Sequence, residues 1–415
     1  MSDYLENEAK EEVDSLFKQG LKQFRSSQYR AAIESFEESR RIYQQIGNRQ
    51  GEANSLIVLG NIYSSLGQYQ KAIEFFQQSL AIKKEIGDRN GEANALIGLG
   101  NVYSSLGQYN ISIEFYQQSL AMFTKIGDRN GRASSLNNLG NAYSSLGQYN
   151  RTIEFYQQSL AMFTEIGDRN GEANSLIGLG NAYRNLGQYN RTIEFFQQSL
   201  AMFTEIGDHN GEANSLQNLG NAYRSLGQYN RAIEFYQQSL AIYTEIGDRN
   251  GEANSLIGLG NAYYCLGQYQ KAIEFYPQSL AIFTETGDRN GEGNSLASLG
   301  NAYYSLGQYQ KAIEFYPQSL AIYTEIGDRN GEAKSLQNLG AAHSSLQQYP
   351  EAINYYQQAV NIYESIRRDL QELTLEQQQS YVNTIKPVYT RLAQLLQQQG
   401  RNSQAQQIIE LLKTR

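Results

Sequence analysis

GEANSLIVLGNIYSSLGQYQKAIEFFQQSLAIKKEIGDRN, residues 51–90, recurs every 40 positions with little drift as far as residue 330. Looser copies precede it at 11–50 and follow it at 331–370. A fixed period of this length marks a solenoid, in which each unit buries its apolar side only against its neighbours. Within the copy at 51–90, Leu56, Leu59, Gly60, Tyr63 and Leu66 recur at spacings of three and four, the stripe of one amphipathic helix. Gly67-Gln68 breaks that pattern where a tight turn is needed. A second stripe, Tyr69, Ala72, Ile73, Phe76, Leu80 and Ile86, runs on to Gly87, a C-cap residue, and Asp88 then offers the N-cap of the next helix. Each repeat therefore reads as a hairpin of helix A, turn and helix B, with no strand-like alternation. Gly60 and Ala72 are small where the two helices must approach, and the rings of Tyr63 and Phe76 fill the space between hairpins.

The run Leu59-Gly60-x-x-Tyr63, then Gly67-x-Tyr69-x-x-Ala72-x-x-x-Phe76, resembles the tetratricopeptide repeat, with Leu56 where that family often carries Trp. The 40-residue length resembles the long-repeat branch of kinesin light chains, Pins-type polarity adaptors and many bacterial arrays. The resemblance covers nine repeats, residues 11–370, and implies an all-α, right-handed superhelical solenoid of antiparallel hairpins. Residues 1–10 read as a polar N-terminal tail, and 371–415 as a degenerate pair of capping helices interrupted at Lys386-Pro387. That last segment also resembles the stretch leading from bacterial arrays into a caspase-like CHAT protease domain, whose His/Cys pair has no counterpart here.

Net charge is −8 and pI near 5.1, with no Lys/Arg block on one face, which argues against nucleic acid as a partner. The opening residues Met1–Lys10 are acidic and polar, unlike a secretory leader, and the longest uncharged runs are rich in Asn, Ser, Gly and Gln, unlike a membrane span. A single cysteine, Cys265, excludes an intrachain disulfide framework. The chain thus reads as soluble and cytoplasmic. Cys265, His209 and His343 are each single substitutions at repeated positions, no metal-ligand spacing is present, and the GDRNG loops lack the Lys-Ser/Thr of a phosphate loop. The expectation is no enzyme, no cofactor, no metal and no small-molecule substrate.

Comparing the copies separates constant from variable positions. Asn61, Asn101, Asn141, Asn181, Asn221, Asn261 and Asn301 form one polar column just after the helix-A glycine. Seven residues earlier, on the same face, stand Asn54, Asn94, Asn174, Asn214, Asn254 and Asn294, interrupted by Ser134 and Lys334. Asn is a mediocre helix former, so its retention in mid-helix asks for a reason. The resemblance implies that helix A lines a concave groove, where Asn donors and acceptors match a peptide main chain. The alternative is that the columns cross-link successive A helices or only duplicate a recent repeat. One flanking position runs Ser64, Ser104, Ser144, Arg184, Arg224, Tyr264, Tyr304, Ser344, and another Ile57, Ile97, Asn137, Ile177, Gln217, Ile257, Ala297, Gln337. Arg184 and Arg224 would favour an acidic or phosphorylated ligand, and Tyr264 and Tyr304 an apolar anchor. The carboxylate-capturing mode of the family needs helix-A lysines, and Lys334 stands alone. The functional expectation is a scaffold for a protein or peptide partner. The alternatives are a regulatory arm of a CHAT-type protease system and a self-associating structural solenoid.

Overall fold

A computed structural model describes residues 2–25, 28–369 and 375–412. The chain divides into two compact units, Met1–Gly207 and Asp208–Arg415. The first holds α1 (Ser2–Arg25), α2 (Tyr29–Gln45), α3 (Arg49–Ser65), α4 (Tyr69–Glu85), α5 (Arg89–Ser105), α6 (Tyr109–Ile126), α7 (Arg129–Ser145), α8 (Tyr149–Ile166), α9 (Arg169–Asn185) and α10 (Tyr189–Ile206). The second holds α11 (His209–Ser225), α12 (Tyr229–Ile246), α13 (Arg249–Cys265), α14 (Tyr269–Thr286), α15 (Arg289–Ser305), α16 (Tyr309–Ile326), α17 (Arg329–Ser345), α18 (Tyr349–Asp369), α19 (Leu375–Gln398) and α20 (Asn402–Leu411). Among the described residues there is no strand. Up to α18, odd-numbered helices are A helices and even-numbered ones are B helices. Each unit is an all-α stack of consecutive hairpins.

Caps fix the period. Asp88, Asp128, Asp168, Asp208, Asp248, Asp288 and Asp328 each accept the N–H of the glycine three residues on, closing the start of an A helix. The B helices α6, α8, α10, α12, α14 and α16 end on a left-handed C-cap glycine such as Gly127, with φ +82°. The core is built from rings set against missing side chains. Phe76 lies between Gly60 of its own repeat and Gly98 of the next, where an added Cβ would fall 2.9 and 2.3 Å from its ring. Serines, which the helical stripes did not single out, seal successive hairpins: Ser119–Ser135, Ser159–Ser175, Ser239–Ser255, Ser279–Ser295 and Ser319–Ser335 meet at 3.0–3.3 Å between a B helix and the next A helix. A hydroxyl small enough for that contact also bonds the carbonyl four residues back, as Ser175 does to Gly171, so no polar group is stranded.

Two expectations about helix boundaries meet different outcomes. The segment 1–10 is helical from Ser2, and Val13 is the first residue of α1 in the core. Lys386-Pro387 does not interrupt α19, which runs through it unbroken from Leu375 to Gln398. Pro387 is exposed there, while Ile385, Val388, Tyr389 and Leu392 on the opposite face are buried and hold the helix together. The polar stretch 369–379 lies largely outside the described side chains. Pro277 and Pro317 likewise sit inside continuous B helices on exposed positions.

Lys83 is the one non-aromatic residue in a column otherwise filled by Tyr43, Phe123, Phe163 and Phe203 in this unit. Its side chain is 2% exposed, and Nζ bonds Asn54 Oδ1 at 2.7 Å and Asp88 Oδ2 at 2.8 Å. Burial works to raise the Asp88 pKa. The Lys83 ammonium, the Gly91 N–H and Gln50 outweigh it and hold the carboxyl at about 2. Because that value lies below the ordinary carboxylate range near 3.9, the pair's contribution is present above about pH 4 and is lost as pH falls toward 2. Replacing Lys83 by Phe is expected to leave stability at neutral pH unchanged or raised, since a well-packed ring matches a buried ion pair. It should also flatten the loss of stability between about pH 4 and pH 2, which urea denaturation at the two pH values would show.

Candidate functional site

The first asparagine column runs along the A helices, exposed at Asn61, Asn101 and Asn141 and half-buried at Asn181, Asn221, Asn261 and Asn301. In both units successive A helices bring Cα atoms within 8 Å of one another, as α7 and α9 do, so the column is closely spaced. Its acceptors are largely committed. Tyr116 donates to Asn101 Oδ1 at 2.7 Å, Tyr156 to Asn141 at 2.5 Å, Tyr236 to Asn221 at 2.8 Å, Tyr276 to Asn261 at 3.1 Å and Tyr316 to Asn301 at 3.0 Å. Each donor comes from helix B of the same repeat. Burial raises the pKa of Tyr116, Tyr156, Tyr276 and Tyr316, so these phenols keep their protons and remain donors. A planar carboxamide held by its oxygen turns its two N–H groups the other way. At these five positions the carbonyl is taken and the amide is left as donor, which neither sequence reading foresaw. The signal lay in the Tyr of helix B, assigned to the core by its stripe alone.

Two repeats break the rule. Phe76 and Phe196 stand where the tyrosine should be, and Asn181 Oδ1 is buried without a hydrogen-bond partner. Cross-links between successive A helices do occur, from Asn338 to Asn301 at 3.0 Å and from Asn137 to Ser175 at 3.3 Å, but the column is not built from them.

The second column bonds mostly within its own helix, although Asn294 also accepts from Tyr323 of helix B at 2.8 Å. Asn94 bonds Asn90 at 2.9 Å, Asn174 the Asn170 carbonyl at 3.0 Å, Asn254 the Asn250 carbonyl at 2.9 Å and Asn294 Asn290 at 3.0 Å. Asn54 accepts from Lys83, and Asn214 accepts from Asn218 at 2.6 Å. These residues steady the first turns of the A helices while staying near the surface.

The flanking positions are also engaged. Tyr264 meets Ser305 at 2.9 Å and Tyr304 meets Ser345 at 3.1 Å, each reaching into the following repeat. Arg184 is half-buried. Burial works against the charge of Arg224, but the Tyr236 phenol and the Cys265 sulfur beside it keep its pKa above the ordinary arginine value. His209 sits 3.5 Å from Glu212, and His343 is held by Gln348 at 2.6 Å and stacked on Tyr355, so Cys265 and the two histidines serve separate contacts. Among the described residues there is no cluster of three metal-ligating side chains, and no helix is long and apolar enough to cross a membrane.

One cavity opens on this face within the first unit, between α7 and α9, with a volume of about 390 Å³. Asn141, Tyr156 and Asn181 are among the residues that line it.

Similarity to known proteins follows this architecture. Solved structures alike in fold include a signal transduction ATPase with a tetratricopeptide repeat sensor from Pyrococcus horikoshii, at 15% identity and TM-score 0.59 over 83% of this chain and 54% of that one. A Rap protein complexed with competence and sporulation factor matches at 15% identity and TM-score 0.57, covering 86% of this chain and 98% of that one. Aspartyl phosphate phosphatase F from Bacillus subtilis matches at 14% identity and TM-score 0.53, covering 87% and 93%. No curated protein sequence matches the chain. The tetratricopeptide repeat model matches residues 20–85, 91–165, 171–245, 223–285, 251–325 and 291–365. Hairpins of this period, with rings packed on helix-A glycines and matched by that model over most of their length, place the chain in the tetratricopeptide repeat family.

Proposed function

We propose that the chain is an interaction scaffold that holds a peptide segment of a partner protein along the A-helix face, with the asparagines of the first column contacting its main chain. Tetratricopeptide repeats in general mediate protein–protein interaction, and the Rap relative of the same fold is described in complex with a factor. The observation that supports the finer reading is the commitment of five Asn carbonyls to buried phenols. Their N–H groups match the carbonyls of an extended chain, which carries one unpaired acceptor per residue. Asn54, Asn94, Asn174, Asn214, Asn254 and Asn294 would border the segment, with Arg184, Arg224, Tyr264 and Tyr304 selecting its side chains. A second reading, a sensor arm governing an enzyme, is favoured by the ATPase relative, whose repeats are described as a sensor. The same face would then receive the signal.

Asn→Asp substitution separates a donor row from a structural one. Asp keeps the oxygen that each tyrosine needs and removes the outward N–H groups. Peptides selected from a random display library on the wild-type protein are expected to bind the Asn221→Asp/Asn261→Asp/Asn301→Asp variant about 150-fold more weakly, at roughly 1 kcal/mol per lost bond. Equal affinity for both proteins by isothermal titration calorimetry, or failure to select any peptide, would sink this reading.

A further inference from the structure

The cavity between α7 and α9 carries a hydrogen-bonding imbalance that packing leaves unresolved. It opens because two positions are small: Ser134 stands where the second column has Asn, and Gly178 has no side chain, since a Cβ there would lie 2.4 Å from the Tyr156 ring. No charged side chain lines it. On one side, the Asn141 carbonyl is held by Tyr156 at 2.5 Å, which leaves the amide as donor. That amide touches only Asn137 Oδ1, at 3.4 Å, the outer limit of a hydrogen bond. On the other side, Asn181 Oδ1 is an acceptor with no donor, because Phe196 replaces the tyrosine that serves this atom in the repeats on either side of the exception. Asn181 lines the cavity, and its broad terminal torsion leaves the oxygen able to turn toward a ligand there. An unpaired buried acceptor is costly, and a ligand that satisfies it gains that cost back.

We propose that this cavity is a subsite for a carboxamide side chain, glutamine or asparagine, on the bound partner segment; it rests on the scaffold reading above and deepens it. A carboxamide has one acceptor for the Asn141 amide and two donors, one for Asn181 Oδ1. Because it carries both kinds of group on one edge, it pairs with Asn181 whichever way that amide is turned. A carboxylate finds no cation here and cannot donate. An ammonium finds no carboxylate, and an aliphatic chain leaves both asparagines unpaired.

The test compares N-acetylglutamine methylamide with N-acetylnorleucine methylamide on the full chain, two probes with one main chain and different side chains. Binding is read from the side-chain amide NMR signals of Asn141 and Asn181. The glutamine probe is expected to bind about tenfold tighter, since a site built to pair a polar group rejects the analogue lacking it. In Phe196→Tyr, a hydroxyl like those of the neighbouring repeats satisfies Asn181 from within. That variant is expected to fold at least as stably and to lose the glutamine preference. Equal binding of the two probes, binding of neither, or a preference that survives in Phe196→Tyr would overturn the subsite. The scaffold reading is judged separately, because library-selected peptides that bind Phe196→Tyr but not the Asp variant leave it standing without the subsite.

Discussion

Tyr236→Ala is expected to lower the stability of the second unit by about 3–5 kcal/mol, at the top of the range for single substitutions. The ring is fully buried, and it is wedged between Gly220 and Gly258, whose added Cβ atoms would sit 2.7 and 2.5 Å from it. Two glycines have no side chain to lean into the vacated space, so the cavity stays open and the lost contacts are not recovered. Tyr236→Phe keeps the ring and removes the hydroxyl that bonds Asn221 and lies beside Arg224, and is expected to cost about 1–2 kcal/mol. Urea denaturation gives the totals. Hydrogen exchange should place the loss in α11 to α14, because repeats couple only to their neighbours. A loss below about 1 kcal/mol for the alanine variant would show that the ring is not the keystone of its hairpin.

The largest gain is expected at the two prolines. Pro277 and Pro317 each remove one helical hydrogen bond and crowd the carbonyl four residues back, at about 3 kcal/mol per interior proline. The carbonyls that lose their donor are those of Ile273 and Ile313, and both helices nevertheless continue through the site. Both prolines face solvent, so glutamine, the residue of the earlier repeats, fits without repacking. Pro277→Gln and Pro317→Gln are therefore expected to stabilise by about 2–3 kcal/mol each, and nearly additively. Thermal unfolding checks this, and an unchanged midpoint in the double variant would mean that the ring is tolerated without strain.

The period, the hairpin, the Asp caps and the ring-filled core were all legible, because each leaves a mark of fixed spacing in one repeat. Asn61 and its counterparts were legible as a column but not as a donor row. That property depends on a partner fifteen residues away on another helix, and no periodicity within helix A contains it. The serines escaped for a related reason: Ser119 and Ser135 lie in different repeats, and only packing shows that they meet. Pro387 was misjudged because proline was weighed as a helix breaker without the buried face of Ile385, Val388 and Leu392 that holds α19 together. Asn181 was read as one more member of its column. The clue to its difference was the Phe at 196, a single oxygen missing from one copy.

The identity of the junctions has a consequence for how such a chain finds its native state. The serine contact between B helix and next A helix recurs in the same form at Ser239–Ser255, Ser279–Ser295 and Ser319–Ser335. A hairpin that docks one place out of turn meets a seam almost indistinguishable from its own. Such a slip forfeits a single hairpin at the margin and leaves little local penalty to reverse it. Misregistered species of this kind are slow to correct, and they make refolding rather than native stability the point at which near-perfect duplication becomes a burden. The same interchangeability lets a gene gain or shed one 40-residue block and still encode matching seams on both sides of the join.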